Sequence, residues 1–271
     1  MSSALFAAKS HAQLYAKFRP FPPDLLVKSI ITYLSKKVPA PFKNAVDIGC
    51  GSGQSSFVLS PYFESITGFD VSEAQIKYAQ EQHSAPNITY KVSSGNCWSI
   101  ASASVQLVTF AQSFHWFDSE EAFREVERIL IPNGVIAVYG YSIPIPRVDD
   151  QTKNAKLKEL IEKYLHTEKL GDYWRKENLV VERAYADITL PFQDTCRENF
   201  VMEAQSSLSE YLGYLKTWSS FQKLYKEDCQ KANNLLQDVK NRFLEILDKT
   251  KCQEEICFTL HTDYFMLLGR K

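Results

Sequence analysis

Val46-Asp47-Ile48-Gly49-Cys50-Gly51-Ser52-Gly53-Gln54-Ser55-Ser56 is the most informative run in this chain. The apolar residues 45–48 read as the end of a buried strand, and residue 55 onward opens a helix. Gly49, Gly51 and Gly53 fall at every second position, which permits positive φ and lets a ligand approach with no Cβ in its way. The helix start leaves backbone N–H groups free for a polar or anionic group. Strand, glycine turn and helix in succession form a nucleotide-cofactor signature; the alternative is an ordinary strand–turn–helix with no ligand. A P-loop is excluded, because the Lys-Ser/Thr pair that meets the phosphates is absent. A dinucleotide fingerprint wants glycine at its first, third and sixth positions. Gly49 and Gly51 meet two of these, but Gln54 stands at the sixth.

Asp47 discriminates further. A carboxylate two residues ahead of the loop sits badly against a pyrophosphate, yet suits a ligand carrying an ammonium and a sulfonium. Residues 65–70 read as the second strand and end on Asp70, 21 positions after Gly49. That is the span over which a βαβ unit returns a carboxylate beside a bound nucleoside. There Asp70 can accept from both ribose hydroxyls, although Ser72 and Glu73 also mark a helix start. This acidic strand end followed by G-x-G-x-G closely resembles the first motif of class I S-adenosylmethionine-dependent methyltransferases. The resemblance is specific over residues 45–141 and weaker over 10–25 and 205–220. It implies S-adenosyl-L-methionine as cofactor, with Asp47, Gly49, Gly51, Gly53, Asp70 and Val71 around it. The implied fold is α/β: a doubly wound, mostly parallel, Rossmann-like sheet of seven strands, the last antiparallel, with a helical substrate-cap insertion.

In that family the turn after the third strand (here residues 87–92) supplies an acidic residue to the adenine amino group and a backbone N–H to a ring nitrogen. Asn96 stands at the acidic position, followed by Cys97. Asparagine accepts without charge assistance, so a weaker contact is expected. The fourth strand, residues 105–111, runs into Gln112-Ser113-Phe114-His115-Trp116-Phe117-Asp118. The carboxyl ends of central parallel strands line the ligand crevice of an open sheet. Two roles stay open for His115, Trp116 and Phe117: packing beneath the next helix, or the wall where an acceptor meets the donor methyl. An acceptor that must lose a proton could use His115 as general base. The string A-Q-x-x-H-W-F-D is similar to the trans-aconitate methyltransferase subgroup, which implies Gln112 at the cofactor and Trp116 and Phe117 at the acceptor. By the same resemblance Tyr15 and Arg19 form a lid over the cofactor, the alternative being a lead-in arm laid over the domain; a basic residue facing the acceptor pocket, Arg19 or Lys216, would suit a carboxylate. Residues 211–219 resemble the subgroup's pocket-closing segment and add Tyr214, Lys216 and Trp218.

Beyond residue 144 the pattern loosens. Strands are expected at 180–190 and 256–268, with helices at 206–219 and 224–249 between them. The chain reads as one methyltransferase domain over 1–271, with an arm and helix at 1–40, the cofactor-binding core at 45–141 and the cap at 191–250. With 31 basic and 32 acidic residues the formal net charge is −1, which offers no electrostatic footprint for nucleic acid or an acidic membrane. Six scattered cysteines with no C-x-x-C pair suit reduced thiols in a cytoplasmic protein. No signal succession or bilayer-length apolar run is evident, and no metal is expected. The expected activity is methyl transfer to a small-molecule acceptor, a carboxylate oxygen being the atom the subgroup suggests, with no obligate protein partner. Two readings from other classes remain: an NAD-type oxidoreductase and a non-catalytic S-adenosylmethionine-binding regulatory protein.

Overall fold

A computed structural model of the chain describes residues 9–93, 98–248 and 256–271. At its centre β1 (Phe42–Ile48) pairs in parallel with β2 (Phe63–Asp70) on one side and β4 (Val105–Ala111) on the other. Beyond β2 lies β3 (Ile88–Val92), and beyond β4 lies β5 (Leu130–Tyr141), both parallel. The antiparallel β8 (Cys257–Arg270) follows β5, with β7 (Asp194–Ser207) along its other side and a short β6 (Ile145–Arg147) meeting its first half. The order β3-β2-β1-β4-β5-β8 reverses direction between β1 and β4. Open α/β sheets bind their ligands outside the carboxyl ends of the strands at such a switch point. The expected mostly parallel sheet with an antiparallel last strand is therefore present, enlarged by β6.

Strand alternation assigns each residue to one of two cores. In β5, Val135, Ala137, Tyr139 and Tyr141 face the first core, while Ile136 and Val138 face the second. The first is covered by α2 (Asp24–Ser35), α8 (Leu208–Lys216), α9 (Ser219–Glu227) and α10 (Cys229–Ile246). It is also covered by α6 (Gln151–Lys158), which continues as a π-helix over Glu159–Lys169. The second core is covered by α5 (Ser119–Ile129), through Ala122, Val126 and Ile129. At the crevice end stand α1 (Lys9–Phe18), α3 (Gln54–Leu59) and α4 (Glu73–Gln82). Ser72 caps α4 by accepting from Gln75 N at 3.3 Å. No helix among the described residues is long and apolar enough to cross a membrane.

The structure departs from expectation after residue 144. Residues 180–190 are not a strand: Val180 and Val181 belong to α7 (Lys176–Glu182), and Ala184 and Tyr185 then take φ of 52° and 55°. Val180 and Val181 cover the second core from that helix, and Ala184, Tyr185, Ile188 and Leu190 from the turn and loop beyond it. The true strand is β7, which stands where the cap was expected to begin. It is exposed along most of its length, and only Cys196, Phe200 and Met202 reach the first core. Arg197, Glu198 and Glu203 place charge along it, as edge strands require. The helix expected at 224–249 is two helices, broken at Asp228, whose carboxylate accepts from Lys231 N at 2.8 Å.

Arg270 ties this half of the molecule together. It is 3% exposed. Its guanidinium donates to Asp194 Oδ2 at 2.9 Å, Asn133 O at 3.1 Å and Tyr33 O at 2.5 Å, joining β8 to β7, β5 and α2. Arg270→Met leaves two backbone carbonyls without their donor and should lower stability by about 2–4 kcal/mol, read as a lower urea midpoint at unchanged m. The Arg270 hydrogen bond also holds the Asp194 carboxyl below its ordinary value of 3.8. That contribution is complete above this value and is lost as pH falls through the depressed one. The variant should therefore lose stability less steeply on acidification.

Candidate active site

The turn after β1 runs with φ of 67°, 53° and 89° at Gly49, Gly51 and Gly53. A Cβ on Gly49 would stand 2.5 Å from Ser113 Cβ, and one on Gly53 2.5 Å from Tyr90 Oη. These two glycines answer to packing. A Cβ on Gly51 would meet no atom within 4 Å, and Gly51 lines the crevice cavity. Asp70, at the end of β2, lines the cavity with Val71; its Oδ2 accepts from Gly51 N at 2.9 Å and its Oδ1 from Ser72 N at 2.8 Å. Burial raises its pKa, and these two backbone donors oppose the rise.

Asp47 is placed differently. It is fully buried, accepts from Ser56 Oγ and Thr109 Oγ1, both at 2.7 Å, and does not line the cavity. Gly53 also stands back from the lining. Tyr15, Gly49, Gly51, Asp70, Val71, Gln112, Arg19 and Trp116 are brought together around it, and a second chamber of about 720 Å³ adjoins it. The two share Tyr15, Arg19, Gln112, Trp116 and Tyr141, and the second adds His115, Tyr214 and Trp218. Phe117 packs on Phe110 and Trp98 in the second core, with ring centroids 5.4 and 6.4 Å away. Lys216 lines neither space, whereas its neighbour Thr217 lines the chamber. Asn96 and Cys97 lie outside the described residues.

The sequence reading missed Tyr139, Tyr141, Gln54, Gln75 and Thr217, all of which line one space or the other. Two tyrosines at alternate positions near the carboxyl end of a central strand were the available signal. Gln112 has φ of 53°, and its amide is already engaged. Its Oε1 accepts from Tyr141 N at 2.9 Å and its Nε2 donates to Tyr141 O at 3.3 Å. That pairing needs glycine opposite, since a Cβ on Gly140 would stand 2.4 Å from the same Oε1.

The N-terminal segment closes the site from above. Phe18 packs over Gly213 of α8, and Phe21 meets the His83 ring edge-on at 5.3 Å. His83 Nδ1 in turn lies 2.6 Å from Ser52 O in the glycine turn. Arg19 sits at the junction of the two spaces. It donates to Thr217 Oγ1 at 2.8 Å, Tyr141 Oη at 3.0 Å and Thr217 O at 3.4 Å, and stacks over the Tyr15 and Tyr214 rings. All these partners are neutral, and among the described residues no carboxylate pairs with it. His115 Nδ1 lies 2.8 Å from Tyr185 Oη. Burial first, and then the Arg19 charge, lower its pKa to about 3, so the imidazole is neutral at physiological pH.

A family model described as a methyltransferase domain matches residues 46–138. A protein of Dictyostelium discoideum that carries a methyltransferase name is 28% identical over 263 residues, covering 97% of this chain and 94% of that one. The probable S-adenosylmethionine-dependent methyltransferase CRG1 of Saccharomyces cerevisiae is 27% identical over 243 residues, covering 81% and 82%. Among solved structures, a protein of Anaeromyxobacter dehalogenans described as a type II methyltransferase superposes with a TM-score of 0.70 at 27% identity, covering 93% of this chain and 98% of that one. The chain is an S-adenosylmethionine-dependent methyltransferase with the Rossmann-like class I fold.

The residues of this methyltransferase fit the cofactor. A cradle open at Gly51, where a side chain would intrude, stands beside a strand-end carboxylate at the switch point. Gly51→Ala isolates that feature. Its Cβ meets no protein atom, so the fold should stay within about 1–2 kcal/mol, the strain of left-handed backbone. Its affinity for S-adenosylmethionine by calorimetry should fall more than tenfold. Undiminished affinity would make the loop a turn and nothing more.

Proposed function

We propose that this methyltransferase acts on a small-molecule acceptor and methylates a carboxylate oxygen. The observation that carries the reading is Arg19, a part-buried cation with neutral partners at the junction between cofactor cavity and chamber. Arginine binds carboxylates bidentately and strongly. The chamber's volume of about 720 Å³ falls within the range of small-ligand sites. Similarity to the trans-aconitate methyltransferase subgroup in the 111–118 string also supports a carboxylate.

When bound, S-adenosylmethionine supplies an electrophilic methyl group on sulfur. On this reading Asp70 accepts from the ribose hydroxyls, Gly51 leaves room for the ligand's approach beside the Gly49 backbone, and Tyr15 covers it. Arg19 fixes the acceptor's carboxylate, and Trp116, Tyr214 and Trp218 wall the chamber around its body. A carboxylate is already a nucleophile, so no proton has to be removed and orientation supplies most of the acceleration. His115 suits such a site: an imidazole whose pKa is lowered to about 3 is a weak base. Its neutral ring, held by Tyr185, shapes the wall instead.

Turnover on a panel of carboxylic acids, phenols and amines, read as S-adenosylhomocysteine release, tests the acceptor class. With an active acid, Arg19→Met should raise KM more than tenfold while cofactor affinity by calorimetry changes less than threefold. A collapse of cofactor affinity would instead assign Arg19 to the cofactor's own carboxylate. His115→Ala should leave kcat within about tenfold, and kcat should be flat between pH 6 and 9. A hundredfold fall in kcat, with folding and cofactor affinity intact, would point to a hydroxyl or amine acceptor.

A further inference from the structure

Two buried amide atoms along the cofactor cavity have no hydrogen-bond partner among the described residues: Oε1 of Gln75 and Nε2 of Gln54. Gln75 is 2% exposed and Gln54 7%, and both line the cavity with Gly51, Asp70 and Val71. The orientation of Gln54 is fixed, because its Oε1 accepts from Ser52 Oγ at 2.6 Å, which leaves Nε2 as the unused donor. Gln75 stands in the first turn of α4, where its neighbours Ile76 and Ala79 form a small apolar core with Cys50 and Tyr90. Packing alone would be served better by an apolar side chain. A buried carbonyl without a donor destabilises the protein that carries it.

The direction of the cavity says what meets these atoms. The acceptor chamber opens on the β4 side, past Gln112 and Trp116, so the donor methyl must face that way. Asp70 ends β2, on the opposite side of β1. A ligand with its sulfur toward β4 and its ribose at Asp70 carries its base further out, past Val71, to the first turn of α4. There adenine offers an exocyclic amine beside a ring nitrogen, a donor next to an acceptor. Gln75 and Gln54 offer the complementary acceptor and donor.

We propose that Gln75, in place of the contact expected from Asn96, reads the adenine, its amide oxygen accepting from the 6-amino group, with Gln54 donating to an adjacent ring nitrogen. The inference rests on Asp70 holding the ribose and is independent of the acceptor's chemistry. Gln75 is then a glutamine kept for the ligand at the expense of the ligand-free protein.

Calorimetry of S-adenosylhomocysteine against its purine analogue lacking the 6-amino group tests this. The wild-type protein should bind the adenosyl compound about tenfold tighter, the worth of one good hydrogen bond. In Gln75→Leu and Gln75→Met the adenosyl compound should weaken about tenfold, the purine analogue should not, and the preference should fall to near unity. The ligand-free variants should melt no lower than wild type. Equal weakening of both ligands, or a preference that survives in the variants, would overturn the proposal. So would equal affinity of the wild-type protein for the two ligands, a result that needs no variant to fold. Any of these outcomes leaves the carboxylate reading standing, because the purine series does not sense the acceptor.

Discussion

A carboxylate sealed beneath the glycine turn holds the crevice open. Burying Asp47 would be prohibitive if its oxygens were left bare, and two hydroxyl donors, Ser56 on α3 and Thr109 on β4, meet that demand. The same three groups join the end of β1 to the helix that follows it and to the strand across the switch point. Ser113 adds a fourth tie by donating to Ile48 O at 2.6 Å. With the end of β1 fixed from both sides, the turn can hold three residues in the left-handed region and keep Gly51 open to the cavity. Burial raises the Asp47 pKa while its hydroxyl partners oppose the rise. The corner therefore depends on those two side chains being present together.

The second compartment is organised by a charge in place of a turn. Arg19 reaches the junction from the N-terminal segment and is received by Thr217 at the end of α8 and Tyr141 from the sheet. Its stacking on Tyr15 and Tyr214 shields the cation without neutralising it. Of the five residues that line both spaces, Arg19 alone carries a charge. Sheet, α8 and N-terminal segment thus each contribute one face of the junction between the two spaces.

The parts legible in the sequence are those written in local spacing. Glycines at alternate positions, a strand-end carboxylate 21 residues on, and apolar runs of strand length identify the β1–β5 core. What could not be read depends on partners distant in the chain. The sign of Asp47 suggested a ligand contact, but Ser56 and Thr109 take its oxygens, and nothing near position 47 announces Thr109. Trp116 and Phe117 are adjacent, yet the short 3₁₀ turn Phe114–Trp116 sends one to the crevice and the other to the core. Lys216 and Thr217 differ by one residue at a helix end, and the hydroxyl rather than the amine reaches Arg19. β7 escaped notice because an edge strand with charge on it carries little apolar alternation, while the valines at 180–181 imitate a strand from within a helix.

The N-terminal segment has a consequence for the timing of turnover. Tyr15 and Arg19 wall the cofactor cavity and the chamber alike. Phe18 on α8 and Phe21 on His83 beside the glycine turn pin the segment on either side of Arg19. One stretch of chain thus borders both spaces. Were this stretch to lift and release a product from the chamber, the cover of the cofactor cavity would loosen in the same movement. A cover shared in this way would couple the residence times of two ligands through residues 15–21, and a compulsory order of binding and release is the regime it favours.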